Sequence, residues 1–202
     1  MNERRKMAPL WTILVIGPPT SGKSSLARRL IQSVRGSVRI NPDELRLMLF
    51  NDLAPVHDED LVYNALIRLR DLSLAHRHSV IIDSTAPRRS TREYFLNGGA
   101  RCRHLIVIMD VDKKILHERA REHDKLRPLR AFEEVWQEPQ NTLPLFKFKN
   151  DNEEQFETSF YLLMEYINHE YMQHSSVIRN IFRRGRKEQT TPGSVVGKLP
   201  PT

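Results

Sequence analysis

Two glycines, a lysine and a serine at fixed spacing could do the most chemistry in this chain. They stand in Gly17-Pro18-Pro19-Thr20-Ser21-Gly22-Lys23-Ser24, a G-x-x-x-x-G-K-S loop fed by the apolar run Ile13-Leu14-Val15-Ile16. Successive backbone N–H groups of such a loop converge, and a helix opening at its end adds the positive end of a dipole, so polyphosphate meets aligned donors. Gly17 and Gly22 let the backbone come close, and Pro18, Pro19, Thr20, Ser21 and Ser25 complete the expected nucleotide-binding stretch. Lys23 is long enough to reach the β- and γ-phosphates, and the Ser24 hydroxyl is placed to ligate Mg2+ between them. ATP and Mg2+ are therefore the expected cofactors.

Three further groups bear on what happens to the phosphate. Asp83 ends the apolar run Ser79-Val80-Ile81-Ile82 and, beside the loop, is the expected second metal residue after Ser24. Asn41-Pro42-Asp43-Glu44-Leu45-Arg46 follows another strand and falls at the carboxyl edge of the sheet, where ligands bind. A carboxylate there, Asp43, can accept the proton of an attacking hydroxyl, and Arg46, one helical turn on, can orient the acceptor's phosphate or the carboxylate itself. The stretch 119–130 carries Arg119, Arg121, Lys125, Arg127 and Arg130 with Pro128 among them, which suits a lid that closes over a triphosphate. Arg119 and Arg127 are the residues expected to act from it.

These residues need a scaffold that brings strand ends together. Apolar runs at 11–16, 38–41, 79–83 and 104–110 alternate with helical periodicity at 23–34, 43–50, 58–77, 89–97, 113–123, 131–138 and 153–173. That alternation predicts an α/β fold with a central mostly parallel sheet flanked by helices. With the G-x-x-x-x-G-K-S loop and the basic stretch added, the expected architecture is the three-layer sandwich of P-loop NTPases with an arginine-bearing lid at about 119–131. Phe156, Phe160, Leu163, Ile167 and Tyr171 recur at helical spacing and read as core. The histidines show no metal-ligand spacing.

With 202 residues the chain is long enough for one α/β domain and too short for two plus a tail. The expected division is a basic N-terminal extension at 1–10, a catalytic domain at 11–174 and a basic, unstructured tail at 175–202. The net charge of +7 supports this division, because residues 1–10 contribute +2, residues 175–202 contribute +5, and the body is balanced. Basic ends can hold a phosphodiester backbone through counterion release, and they can equally be plain solvated tails. The single cysteine, Cys102, excludes a disulfide framework. No signal peptide or long apolar run is present, so a cytoplasmic protein with no membrane partner is expected.

In order along the chain, the loop Gly17 to Ser24, the segment Asn41 to Arg46, Asp83-Ser84-Thr85 and the arginine lid resemble the P-loop kinases of the phage-type polynucleotide 5′-hydroxyl kinase family, in the AAA-type zeta-toxin and polynucleotide kinase-like group. The resemblance covers residues 12 to about 140. It implies that Lys23 and Ser24 bind ATP and Mg2+, that Asp43 is the general base, that Arg46 and Thr85 contact the acceptor, and that Arg119 neutralises the transition state. The implied acceptor is the 5′-hydroxyl of DNA or RNA. Ala86 stands where the family often has asparagine, and His123 where it usually has a second lid arginine. Related groups phosphorylate sugars, nucleotide-sugars or modified bases, and a nucleotide-gated binding protein would share the loop and Asp83 without a use for Asp43 beside Arg46.

Overall fold

A computed structural model describes residues 9–53, 58–98, 102–139 and 143–169 of the chain. The proposed extension at 1–10 lies almost wholly outside these residues, as do the tail at 175–202 and positions 170–173 of the last predicted helix. The chain divides into two compact units, Pro9–Met164 and a second made of Met1–Ala8 with Glu165–Thr202. Within the second unit residues 165–169 are helical; the sheet and its site belong to the first.

Strands β1 (Trp11–Ile16), β2 (Ser37–Ile40), β3 (Ser79–Asp83), β4 (Arg103–Asp110) and β5 (Leu145–Lys149) form one sheet in the order β2-β3-β1-β4-β5. All four pairings are parallel. β1 and β3 are buried along their whole length, which is why they read as continuous apolar runs rather than alternations. The crossovers are α1 (Lys23–Ser33), α2 (Pro42–Phe50) with α3 (Glu59–Ala75), α4 (Arg89–Leu96), and α5 (Lys113–Glu122) with α6 (Leu126–Val135). A further helix follows β5 from residue 153. The result is the expected α/β sandwich, a parallel sheet between helical layers.

The main core joins Leu14 and Ile16 of β1, Val80 and Ile82 of β3 and Ile106 of β4 to Val62, Leu66 and Leu74 of α3 and Phe95 and Leu96 of α4. Arg70 of α3 is 1% exposed. Its guanidinium donates to Phe95 O at 2.6 Å and to Asp71 Oδ1 at 2.8 Å, so the buried charge ties α3 to the end of α4.

Two expectations need correction. The sheet has a fifth strand, Leu145–Lys149, in a stretch whose Leu-Phe-Lys-Phe-Lys sequence alternates apolar and charged residues because it lies at the sheet's edge, where only Phe148 is buried. The helix expected at 131–138 runs instead from Leu126 to Val135. Pro128 does not break it, because it occupies the first turn, where the missing N–H has no intrahelical partner to lose. The stretch read as a lid is therefore the end of α5, a turn at 123–125 and the start of α6, and Leu126 and Leu129 pack against Leu116 and Ala120.

Candidate functional site

The parallel order brings all five strand ends to one edge, and the loop after β1, the middle strand, is the centre of that edge. Gly17 has φ +147° and Gly22 φ +90°, and between them Thr20 has φ +63°. A Cβ at Gly22 would stand 2.3 Å from Asn150 Nδ2, so this position is closed to any side chain by contact as well as by conformation. The loop folds back on itself through Ser21 N–H to Pro18 O at 3.3 Å, and α1 begins with Leu26 N–H to Gly22 O at 3.0 Å. Ser24 is half-buried and Ser25 is exposed. The buried Ser21 Oγ has no hydrogen-bond partner among the described residues.

Lys23 lies under this loop and donates from Nζ to Pro18 O at 2.7 Å. Burial lowers its pKa to about 8, against the attraction of Asp83 and Asp43, which favours the charged form. The ammonium is thus shielded from water and held against a carbonyl of the loop.

Asp83 pairs in register with Val15, two residues before Gly17, and its side chain is 1% exposed. One oxygen is fully engaged: Oδ2 accepts from Arg39 Nε at 3.1 Å, Arg39 Nη2 at 2.6 Å and Asn41 Nδ2 at 3.0 Å. The other, Oδ1, is buried with no hydrogen-bond partner among the described residues. A buried anionic oxygen left without a donor is costly, and a hard cation is the partner that would satisfy it. Asp83 Oδ1 with the Ser24 hydroxyl therefore fits Mg2+, an ion that usually takes one or two protein oxygens and completes its shell with phosphate and water. Among the described residues no cluster of three or more His, Cys, Asp or Glu could hold a metal.

The acceptor side is built by α2. Asn41 caps the helix, its Oδ1 accepting from Glu44 N–H at 3.0 Å, with Pro42 in the first turn. Capping thus falls to Asn41 and leaves Asp43 exposed on the first turn. Arg46 is 8% exposed and donates from Nη1 to Asp43 Oδ1. It also grips Glu59, at the start of α3, in a bidentate pair with both contacts at 2.6 Å. Of the two orientations open to Arg46, the structure shows it holding the carboxylate. Thr85 is half-buried on the loop between β3 and α4, next to Ser84, whose N–H donates to Val15 O at 3.2 Å.

The two lid arginines are placed differently. Arg119, in the last turn of α5, donates from Nη1 to Asn150 O and from Nη2 to Asp151 O, both at 2.8 Å. Arg127 is exposed in the first turn of α6 and is not drawn into this network.

Sequence reading missed Glu59 on Arg46 and Asn150 beneath the loop, and it placed Asn41 in the acceptor segment without the contact that Asn41 and Arg39 make with Asp83. Arg39 carried a signal as a charge inside a strand between Val38 and Ile40.

Solved structures share the fold. A gluconokinase from Sinorhizobium meliloti 1021 is 21% identical, with 83% of this chain and 99% of that chain covered at a TM-score of 0.56. The APS kinase CysC of Mycobacterium tuberculosis, solved with AMPPNP and APS, is 21% identical over 77% of this chain and 96% of that one, at a TM-score of 0.54. A chain of the Pnkp1/Rnl/Hen1 RNA repair complex is 20% identical, covering 68% of this chain and 49% of that chain at a TM-score of 0.50. A search of curated proteins finds no match. The loop, Asp83, the α2 carboxylate and both lid arginines all fall inside residues 12–145, the stretch over which the sequence matches the AAA domain family, and with more than half its length so matched the chain belongs to that family.

Proposed function

We propose that this protein is an ATP-dependent kinase that transfers the γ-phosphoryl group to an acceptor hydroxyl. The observation that carries this reading is the placement of Asp43: exposed, gripped by Arg46, and close enough to the phosphate-loop lysine to favour its charged form. A nucleotide-gated binder has no use for an exposed carboxylate held there by an arginine. Kinases of sugars and of APS share the fold, which supports the same reaction class.

In this mechanism the backbone of residues 17–22 cradles the phosphates, and Lys23 spans the β- and γ-groups. Asp43 accepts the hydroxyl proton as the acceptor attacks in line with the leaving group. Arg46 keeps the carboxylate turned toward the acceptor, and Arg119 and Arg127 offset charge as it spreads over the phosphoryl oxygens. Ser24 and Asp83 would hold Mg2+, which when bound would offset phosphate charge. Closure of the α5–α6 hairpin excludes water.

The leading acceptor is the 5′-hydroxyl of a polynucleotide, the substrate class implied by the order of the motifs along the chain. One chain of similar fold comes from an RNA repair complex. The pairing of Arg46 with Glu59 favours a second reading, a small alcohol without a phosphate of its own, because this guanidinium is already balanced by two carboxylates.

Transfer of labelled γ-phosphate from Mg·ATP tests both readings, with 5′-hydroxyl DNA and RNA oligonucleotides and a panel of small polyols as acceptors and Lys23→Ala as the blank. Label on the oligonucleotide that vanishes in the variant supports the first reading, and label only on a polyol supports the second. ATP binding with no acceptor labelled, and hydrolysis indifferent to Asp43→Asn, would overturn the kinase assignment.

A further inference from the structure

Asn150 follows β5, outside the stretch matched to the family and outside every sequence motif of the site. It is 9% exposed, and its side-chain nitrogen, its main-chain N–H and its main-chain carbonyl are each hydrogen-bonded. The side-chain Nδ2 donates to Ser21 O at 2.8 Å, the main-chain N–H donates to Asp110 O at 3.1 Å, and the main-chain O accepts from Arg119 Nη1 at 2.8 Å. The next residue repeats the pattern: Asp151 O takes the second Arg119 nitrogen at 2.8 Å, and Asp151 Oδ1 accepts from Asp112 N–H at 2.6 Å, beside the cap of α5.

The direction of these bonds matters. A phosphate loop works only if its carbonyls are turned away from the ligand, since a carbonyl oxygen facing phosphate repels it while an N–H attracts it. The Asn150 amide holds the Ser21 carbonyl by the last peptide before Gly22, and it fills the space a Gly22 side chain would need, with Nδ2 2.3 Å from that Cβ position. The same residue's carbonyl, with the next one along, fixes the plane of the Arg119 guanidinium through two parallel bonds. The loop and the arginine are thus set on one backbone segment.

We propose that Asn150 is a positioning residue that registers Arg119 against the phosphate loop, its side chain holding the loop's carbonyl outward and its main chain holding the arginine. This inference rests on the phosphotransfer reading above. Aspartate has the same shape but replaces the donor with an acceptor, so Asn150→Asp would set a carboxylate against the Ser21 carbonyl and add negative charge beneath the phosphates. Asn150→Ala removes the bond alone.

The test is direct binding of mant-ATP with Mg2+ to the full-length wild type, Asn150→Ala and Asn150→Asp, at a temperature below all three melting transitions. Steady-state kinetics with and without Arg119→Ala accompany it. The expected result is Mg·ATP affinity weakened about tenfold by Asn150→Ala and further by Asn150→Asp. Arg119→Ala should also cost less in kcat when Asn150 is already alanine, a non-additivity that marks a shared role. Should the alanine variant fail to fold, the isosteric aspartate variant carries the comparison. Affinities within twofold of wild type, or equal Arg119→Ala effects in both backgrounds, overturn the proposal even if melting temperatures fall. A wild type that binds Mg·ATP but phosphorylates nothing sinks the kinase reading, while the Asn150 binding comparison still stands or falls on its own.

Discussion

Lys23 and Asp43 are the residues on which the chemistry turns, and each makes a distinct prediction. Because burial lowers the Lys23 pKa to about 8, the free protein has lost half of this charge by about pH 8, whereas bound polyphosphate favours it. Nucleotide binding should therefore take up a proton between about pH 8 and 10, with affinity falling as pH rises through that window. Isothermal titration in two buffers of different ionisation enthalpy measures the uptake, which should be near zero at pH 7. The stability sign follows from the same shift: the unfolded chain binds the proton up to about pH 10.5, so this group makes the nucleotide-free protein more stable as pH climbs from 8 toward that value. Asp43→Asn should lower kcat by roughly 10²- to 10⁴-fold while leaving the Kd for Mg·ATP nearly unchanged, read by single-turnover transfer beside equilibrium binding. A rate equal to wild type would reduce Asp43 to a partner of Arg46. The sequence made Lys23 and Asp83 legible because their spacing from a strand is fixed by the motif. It could not show that Asp83 shares Oδ2 with Arg39 and Asn41, since those contacts cross between β2 and β3 and depend on register.

At the scale of elements, four strands, the edge strand β2 among them, and most crossover helices were readable, while β5 and the start of α6 were not. β1 and β3 are buried on both faces and announce themselves by composition alone. β5 is an edge strand with lysines at 147 and 149, and its role becomes visible only once the sheet exists to receive it. The boundary of α6 was obscured by Pro128, whose effect depends on whether it falls inside a helix or in its first turn. Glycines offer a clean element-scale comparison. Gly22 and Gly36 both have positive φ, +90° and +68°, yet a Cβ at Gly36 meets nothing within 4 Å while one at Gly22 collides with Asn150. Gly36→Ala should cost only backbone strain, about 1 kcal/mol, and leave nucleotide binding intact. Gly22→Ala should cost about 1–3 kcal/mol and weaken Mg·ATP binding as well, since the loop or Asn150 must move. Chemical denaturation beside nucleotide titration separates the two, and equal effects from both substitutions would remove the steric argument.

Over the whole molecule, charge and topology set the behaviour. The basic ends hold all of the net charge of +7, and among the described residues no helix is long and apolar enough to cross a membrane. If the acceptor is a polymer and the tail grips it, truncation after His174 should reduce the slope of log KM for oligonucleotide against log salt by roughly one for each phosphate that the tail had neutralised. An unchanged slope would make the tail a bystander. The strand order β2-β3-β1-β4-β5 has a different kind of consequence. The phosphate loop is encoded within the first 24 residues, yet β1 lies between β3 and β4, and the loop's brace is Asn150. During synthesis the ribosome must therefore deliver residue 83, then 110, and finally 150 before the earliest-made part of the site has its shape, on the order of 10 s later at ordinary elongation rates. Nucleotide cannot template the nascent chain from its beginning. It can only capture a unit already closed, so its stabilising effect acts on the finished fold and not on the path to it.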